Sequence, residues 1–422
     1  MEYNNCNMEK IVLDSISIKS NLVEYHYSVS SGIKKFFTTD CMFTEYEEDM
    51  TNVPTSILTI PFVNCMAGLS WLTDSVLFVD EIDATYYDSF KALKVAYNEL
   101  HHYIGLKGML VPSKIVENKI NSINNKGLLL WGGGVDCHSS FIRNKENISH
   151  ILNIYGWLNK VDENNRVDNS DKEQAAHYAE KMGINALHVR SNFASQFNHQ
   201  CIEKEFRKTF KTSYWYGLLH PMAFLSIATP LAWIHGINTL YIASSFTKSR
   251  ADVKCASFIT TDSVFKFATT GKTIHDGFEL NRQNKVKILA DYQRQINAPY
   301  FIQACSFNDH NCCECEKCFR TMIALIAENA DPKQFGFNTI EKPISHWKKI
   351  IERDIALWGV SKENYYYYYY TAKRMRENYN SIDDKEFVDW FLSCDFVKMR
   401  KSALRKYYYR NFFSIIKRKL GF

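Results

Sequence analysis

Residues 11–18 and 23–29 alternate apolar and polar positions with period two, the pattern of strands with one buried face. Residues 75–80 read as a further strand, and 88–102 carry Phe90, Leu93, Val95, Ala96 and Leu100 at helical spacing, mostly on one face. An N-terminal α+β domain is therefore expected over 1–125, closed by a polar linker over 121–126. From Gly127 the pattern changes to strand, glycine-rich loop, helix, strand. Strands are predicted at 128–131, 151–155, 186–189 and 239–242, with helices over 139–145, 172–182 and 214–235. Such alternation predicts an α/β domain over 126–342, a parallel sheet with helices on both faces. Loops at the carboxyl ends of its strands should hold the ligand. Residues 343–422 read as a helical, aromatic and basic extension that includes six consecutive tyrosines, Tyr365 to Tyr370.

Composition narrows the class. The chain has 422 residues, 46% hydrophobic and 23% charged, as an ordinary globular protein does. The apolar stretch 223–234 is shorter than the roughly 20 residues that span a bilayer, and it contains Pro230. No apolar signal-peptide core opens the chain. Of twelve cysteines, five fall between Cys305 and Cys318 and the rest are scattered, which suits a reducing compartment better than a disulfide scaffold. A cytoplasmic protein is expected. The net charge of +5 is local, because nine Lys or Arg and no acid follow Asp395. That tail is compatible with peripheral contact to an anionic membrane, and nucleic acid is not the expected partner.

Chemistry concentrates in two segments. The first is Leu128-Leu-Leu-Trp-Gly-Gly-Gly-Val-Asp-Cys-His-Ser-Ser140, a buried-strand pattern stopped by three glycines and followed by a helix. Glycines let backbone approach a ligand, and the helix N-terminus behind them favours phosphate. The second is Cys305-(six residues)-Cys312-Cys-Glu-Cys315-Glu-Lys-Cys318. Cys305, Cys312, Cys315 and Cys318 have the spacing of a structural Zn²⁺ site. An iron–sulfur cluster is the second choice, and Cys313 and His310 are alternative ligands. A third element, 275–285, sets Arg282 and Lys285 at i, i+3 on one helix face, where two cations can hold a phosphate or carboxylate. Asp276 and Glu279 nearby read as Mg²⁺ ligands or as a helix cap and its neighbour.

The glycine turn resembles the Ser-Gly-Gly-x-Asp-Ser loop of the PP-loop ATP pyrophosphatases. Gly133, Gly134, Val135 and Asp136 match, whereas Gly132 and Cys137 replace the two serines. With the cysteine knuckle behind it, the chain is similar to the 7-cyano-7-deazaguanine synthase family and to relatives associated with surface-polysaccharide clusters. The resemblance implies a PP-loop fold and ATP bound through Gly132, Gly133, Gly134, Val135, Asp136, Cys137 and Ser139, with the base near Gly156. It implies that Mg²⁺ is used, that Asp136, Arg282 and Lys285 act in catalysis, and that a carboxylate or carbonyl substrate is adenylated for attack by a nitrogen nucleophile. The two missing hydroxyls leave an alternative, a catalytically impaired nucleotide-binding or scaffold protein.

Overall fold

The computed structural model describes residues 8–121, 127–157, 170–248, 255–305, 310–338, 344–357, 363–413 and 416. Most of the expected linker, 122–126, lies outside them. Two compact units divide the chain, one formed by 1–132 with 143–279 and the other by 133–142 with 280–422.

The first unit is an α/β assembly on one eleven-stranded sheet. Its strands are β1 (Lys10–Lys19), β2 (Leu22–Val29), β3 (Cys41–Glu45), β4 (Val76–Asp83), β5 (Met109–Val116), β6 (Gly127–Leu130), β7 (Ile148–Tyr155), β8 (Asn185–Ser191), β9 (Thr239–Ala243), β10 (Lys266–Phe267) and β11 (Gly271–Asp276). The order across the sheet is β10-β11-β9-β6-β7-β8-β3-β2-β1-β4-β5. Six of the ten pairings are parallel. The expected α/β class with a large, mostly parallel sheet and flanking helices is present. The boundary expected at 125/126 does not divide it, because β1 to β5 continue the sheet that β6 to β9 begin. The join is β3 against β8, where Glu45 pairs with Arg190 in register and as an ion pair of 2.5 Å. Asn192 secures it by accepting from the Phe43 N–H at 2.7 Å and donating to the Cys41 carbonyl at 3.0 Å.

The helices are α1 (Thr55–Thr73), α2 (Ala84–Leu100), α3 (Val135–Asn144), α4 (Ser170–Met182), α5 (His199–Phe210), α6 (His220–Ile227), α7 (Thr229–Ile234), α8 (Ile259–Asp262), α9 (Arg282–Ile296), α10 (Glu316–Ala327), α11 (Ile344–Leu357), α12 (Glu363–Glu377), α13 (Lys385–Ser393) and α14 (Phe396–Arg410). The stretches Thr55–Thr73 and Trp215–Ile234 are long and apolar enough to cross a membrane, yet 89% and 78% of their most apolar windows are buried within the fold. In α1 even Asn64 is buried, satisfied by donating to the Met222 carbonyl and accepting from the Tyr86 hydroxyl. Each large apolar side chain that such a helix buries contributes about 1.5–3 kcal/mol.

Around β6 the sheet reverses. The chain runs outward through β7 and β8 on one side, whereas β9 and β11 lie on the other. That is a topological switch point, where α/β folds bind ligands at the carboxyl ends of the strands. The chain leaves β6 there and enters the glycine turn.

The second unit is helical, built from the start of α3 and from α9 to α14 around an apolar core of its own. Phe319 of α10 stacks on Trp347 of α11 at 4.8 Å, and Tyr368 of α12 stacks on Phe396 of α14 at 5.5 Å. Within the tyrosine run, Tyr368 is buried and Tyr369 is half exposed.

Candidate functional site

The turn after β6 is a conformation that suits glycine. Gly133 has φ +67°, and a Cβ there would lie 3.1 Å from the Gln303 Cβ. Gln303 donates its backbone N–H to the Gly133 carbonyl at 2.8 Å. The segment that leads into the cysteine knuckle is thereby hydrogen-bonded to the turn. α3 starts at Val135, four residues earlier than its apolar pattern predicts, so the first-turn N–H groups and the positive end of its dipole follow the glycines directly.

Asp136 sits in that first turn. Arg282 Nη1 donates to its Oδ2 at 2.8 Å and Lys285 Nζ to its Oδ1 at 2.9 Å. The two cations stand on the first turn of α9, whose N-cap Asn281 accepts from the Asn284 N–H. The three residues expected to act in catalysis are therefore in direct contact. Burial works to raise the Asp136 pKa, but Lys285, Arg282 and Arg320 outweigh it and hold the carboxyl below its ordinary value.

Two further cations were not among the expected site residues. Lys317 and Arg320 lie at the start of α10, at the same i, i+3 spacing as Arg282 and Lys285. Desolvation, then the like charges of Arg320 and Arg282, lower the Lys317 pKa. Glu316 neutralises part of the cluster through a 2.9 Å pair with Arg320. Their i, i+3 spacing is visible in the sequence, with Lys317 between Cys315 and Cys318 and Arg320 two residues beyond. Arg282 Nε is buried with no hydrogen-bond partner among the described residues. Arg282, Lys285 and Arg320 act on Asp136, Lys317 lies beside Arg320 and Arg282, and one Arg282 N–H is unsatisfied, so the cluster is suited to an anion with several oxygens.

The other expected residues divide. Val135 is fully buried core, and Ser139 is buried on α3. Cys137 is buried and donates its thiol to the Gly134 carbonyl at 3.1 Å. Its neighbour His138 faces the Tyr300 hydroxyl at 2.8 Å, and burial lowers its pKa to about 3. Gly132 and Gly156 belong to the first unit. A Cβ at Gly132 would meet nothing within 4 Å, so space does not exclude serine there. Gly156 follows β7 with φ +76° and would place a Cβ 2.9 Å from the Arg190 side chain. Asp276 and Glu279 both pair with Arg143, at 3.6 and 2.5 Å. Neither acid caps α9, whose N-cap is Asn281.

Cys305, Cys312, Cys315 and Cys318 converge, with every pair of sulfurs within 4.8 Å. Separations of 3.5, 3.9 and 4.0 Å occur. Thiolates about 2.3 Å from one tetrahedral ion stand roughly 3.8 Å apart, so the cluster fits a single metal ion such as zinc. A multi-iron cluster would spread its four thiolates over two or four irons and hold some of them farther apart. Cys313, at φ +56°, turns away and bonds to the Asn311 carbonyl, and His310 is not in the group. Cys315 also caps α10, its Sγ accepting from the Cys318 N–H. The cysteine cluster thus forms the start of the helix that carries Lys317 and Arg320. Comparison with known proteins finds no matching family model, no matching curated protein and no matching solved structure.

Proposed function

We propose that this chain is an ATP-dependent adenylating enzyme that releases pyrophosphate, with the cysteine cluster holding a structural zinc ion. The observation that carries the reading is the contact of Asp136 with Arg282 and Lys285 directly behind the glycine turn. Lys317 and Arg320 add positive charge to the same cluster. Gly133, Gly134 and the first turn of α3 would offer N–H groups to the phosphates, and Asp136 is the carboxylate suited to Mg²⁺. Mg²⁺ would supply charge neutralisation on those phosphates.

In the reaction an oxygen of the substrate carboxylate or carbonyl attacks the α-phosphorus. The bond to the bridging oxygen breaks, and pyrophosphate carries away the electron pair. A nitrogen nucleophile then attacks the activated carbon, loses a proton, and expels AMP. Arg282, Lys285, Lys317 and Arg320 stabilise the charge growing on the departing pyrophosphate. The turn and helix hold the reactants in register. Zinc has no step in this chemistry. Held by Cys305, Cys312, Cys315 and Cys318, it would fix the start of α10, and with it two of the cations. Surface-glycan chemistry is the substrate context suggested by the resemblance of the turn and knuckle.

Calorimetry of Mg·ATP binding to wild type and Asp136→Asn tests the site, and product analysis tests the reaction. Mg²⁺-dependent binding lost in the variant supports the proposal. No binding by the metal-loaded wild type refutes it, as does release of ADP rather than AMP and pyrophosphate. A second reading, a nucleotide-responsive scaffold, is favoured by the missing hydroxyls at Gly132 and Cys137. It predicts ATP binding without turnover, unchanged when serine is restored at both positions.

A further inference from the structure

α14 carries two apolar faces. One packs inward through Phe396 and Ala403, with Met399 against the same core. The opposite face repeats apolar side chains at helical spacing and leaves them in solvent. Val397 is 54% exposed, Tyr408 55% and Phe412 56%. Beside them Tyr409 and Phe413 reach 88% and 80%. The chain is still helical at 412 and 413. Lys401, Leu404, Arg405, Tyr408, Tyr409 and Phe412 line one open groove along this face. A helix with only one docking role needs only one apolar face.

We propose that this outer face is a docking surface for an anionic lipid bilayer. Charge complementarity identifies the occupant. Between Phe396 and Phe413 there are six cations, Lys398, Arg400, Lys401, Arg405, Lys406 and Arg410, and no acid. An exposed row of Phe, Tyr and Val interspersed with Lys and Arg is the composition of a helix lying in the headgroup region. The tyrosines would sit at the polar boundary, and the phenyl rings would enter the acyl region. The lysine and arginine stems would carry their charges up to the lipid phosphates. Nucleic acid fits less well. Its contacts would use the cations and stack on rings, but would leave Val397 in water. The inner face remains docked, so binding needs no unfolding of the second unit.

The test is flotation of the full-length protein with vesicles of phosphatidylcholine alone or with added phosphatidylserine. Wild type is expected to float with the anionic vesicles only, and less so as salt rises. Lys401→Glu/Arg405→Glu should weaken binding by about five-fold or more for each cation reversed. Phe412→Ser/Phe413→Ser should weaken it roughly ten-fold or more. All four positions are exposed, and unchanged circular dichroism would verify folding. The proposal is overturned if wild type ignores anionic vesicles, or if the phenylalanine variant binds them as tightly as wild type. It is also overturned if an oligonucleotide displaces the protein from vesicles and the charge variant loses oligonucleotide binding alone.

Discussion

Replacing Asp136 by alanine removes the carboxylate from two cations at once. The Lys285 side chain is 3% exposed and Arg282 15%, whereas Asp136 is 27% exposed. Breaking a buried pair by deleting one partner costs about 3–5 kcal/mol, because the other charge stays in a poor solvent. Water reaches Asp136 from one side and screens part of this, so a loss of about 3 kcal/mol is expected in the second unit. Adding Lys285→Met removes the buried ammonium and keeps the volume of the stem. The double variant should regain about 2 kcal/mol over Asp136→Ala. Hydrogen exchange of α9 peptides reads the local effect, and guanidinium denaturation reads the global one. Two compact units need not unfold together, so the local measurement is primary. A loss under roughly 1 kcal/mol, or a double variant no better than the single one, would refute the view of a charge network held by Asp136.

Two further outcomes follow from the geometry. The purified chain should contain one metal ion. Cys315→Ser or a strong chelator should remove it and the exchange protection of α10, whereas Cys313→Ser should leave both unchanged, and metal analysis with hydrogen exchange decides this. Acid should destabilise the fold early. Burial lowers the pKa of His138 to about 3, and burial followed by the charge of His235 lowers that of His150 to about 4. Below about pH 6.5 the unfolded chain takes up protons that these folded rings refuse. Their contribution is thus intact above that pH and is lost as pH falls, by about 1.4 kcal/mol per unit for each ring until its own folded pKa is reached. His138→Phe should flatten the denaturation profile over that interval, and an unchanged slope would contradict the assignment.

The parts legible in the sequence were local ones. Spacing alone placed Arg282 and Lys285 on one helix face and singled out four cysteines that converge. The glycine turn between strand and helix was equally plain. Sheet continuity was not, because period-two alternation gives the buried face of a strand and is silent about its neighbour. Nothing near Glu45 indicates a partner at Arg190, 145 residues away. α1 went unread because it is buried on nearly every side, which erases the amphipathic period, and Pro61 interrupts its composition. Asp276 and Glu279 read equally as metal ligands or as a helix cap and its neighbour, and nothing in their spacing indicates that both pair with Arg143, more than a hundred residues away, or that Asn281 is the cap.

The division of the chain has a consequence for biosynthesis. Residues 133–142 belong with a body whose remainder begins at Leu280. A ribosome must add well over a hundred residues after α3 emerges before Lys285 exists to meet Asp136, a delay of about ten seconds. During that interval the start of α3 has no native core to join, and it becomes a natural client for a chaperone. Proteolysis or truncation that isolates 280–422 would yield a body lacking the short segment that neutralises its own buried lysine. Such a fragment should be recovered intact only when a peptide spanning the glycine turn and α3 is supplied in trans.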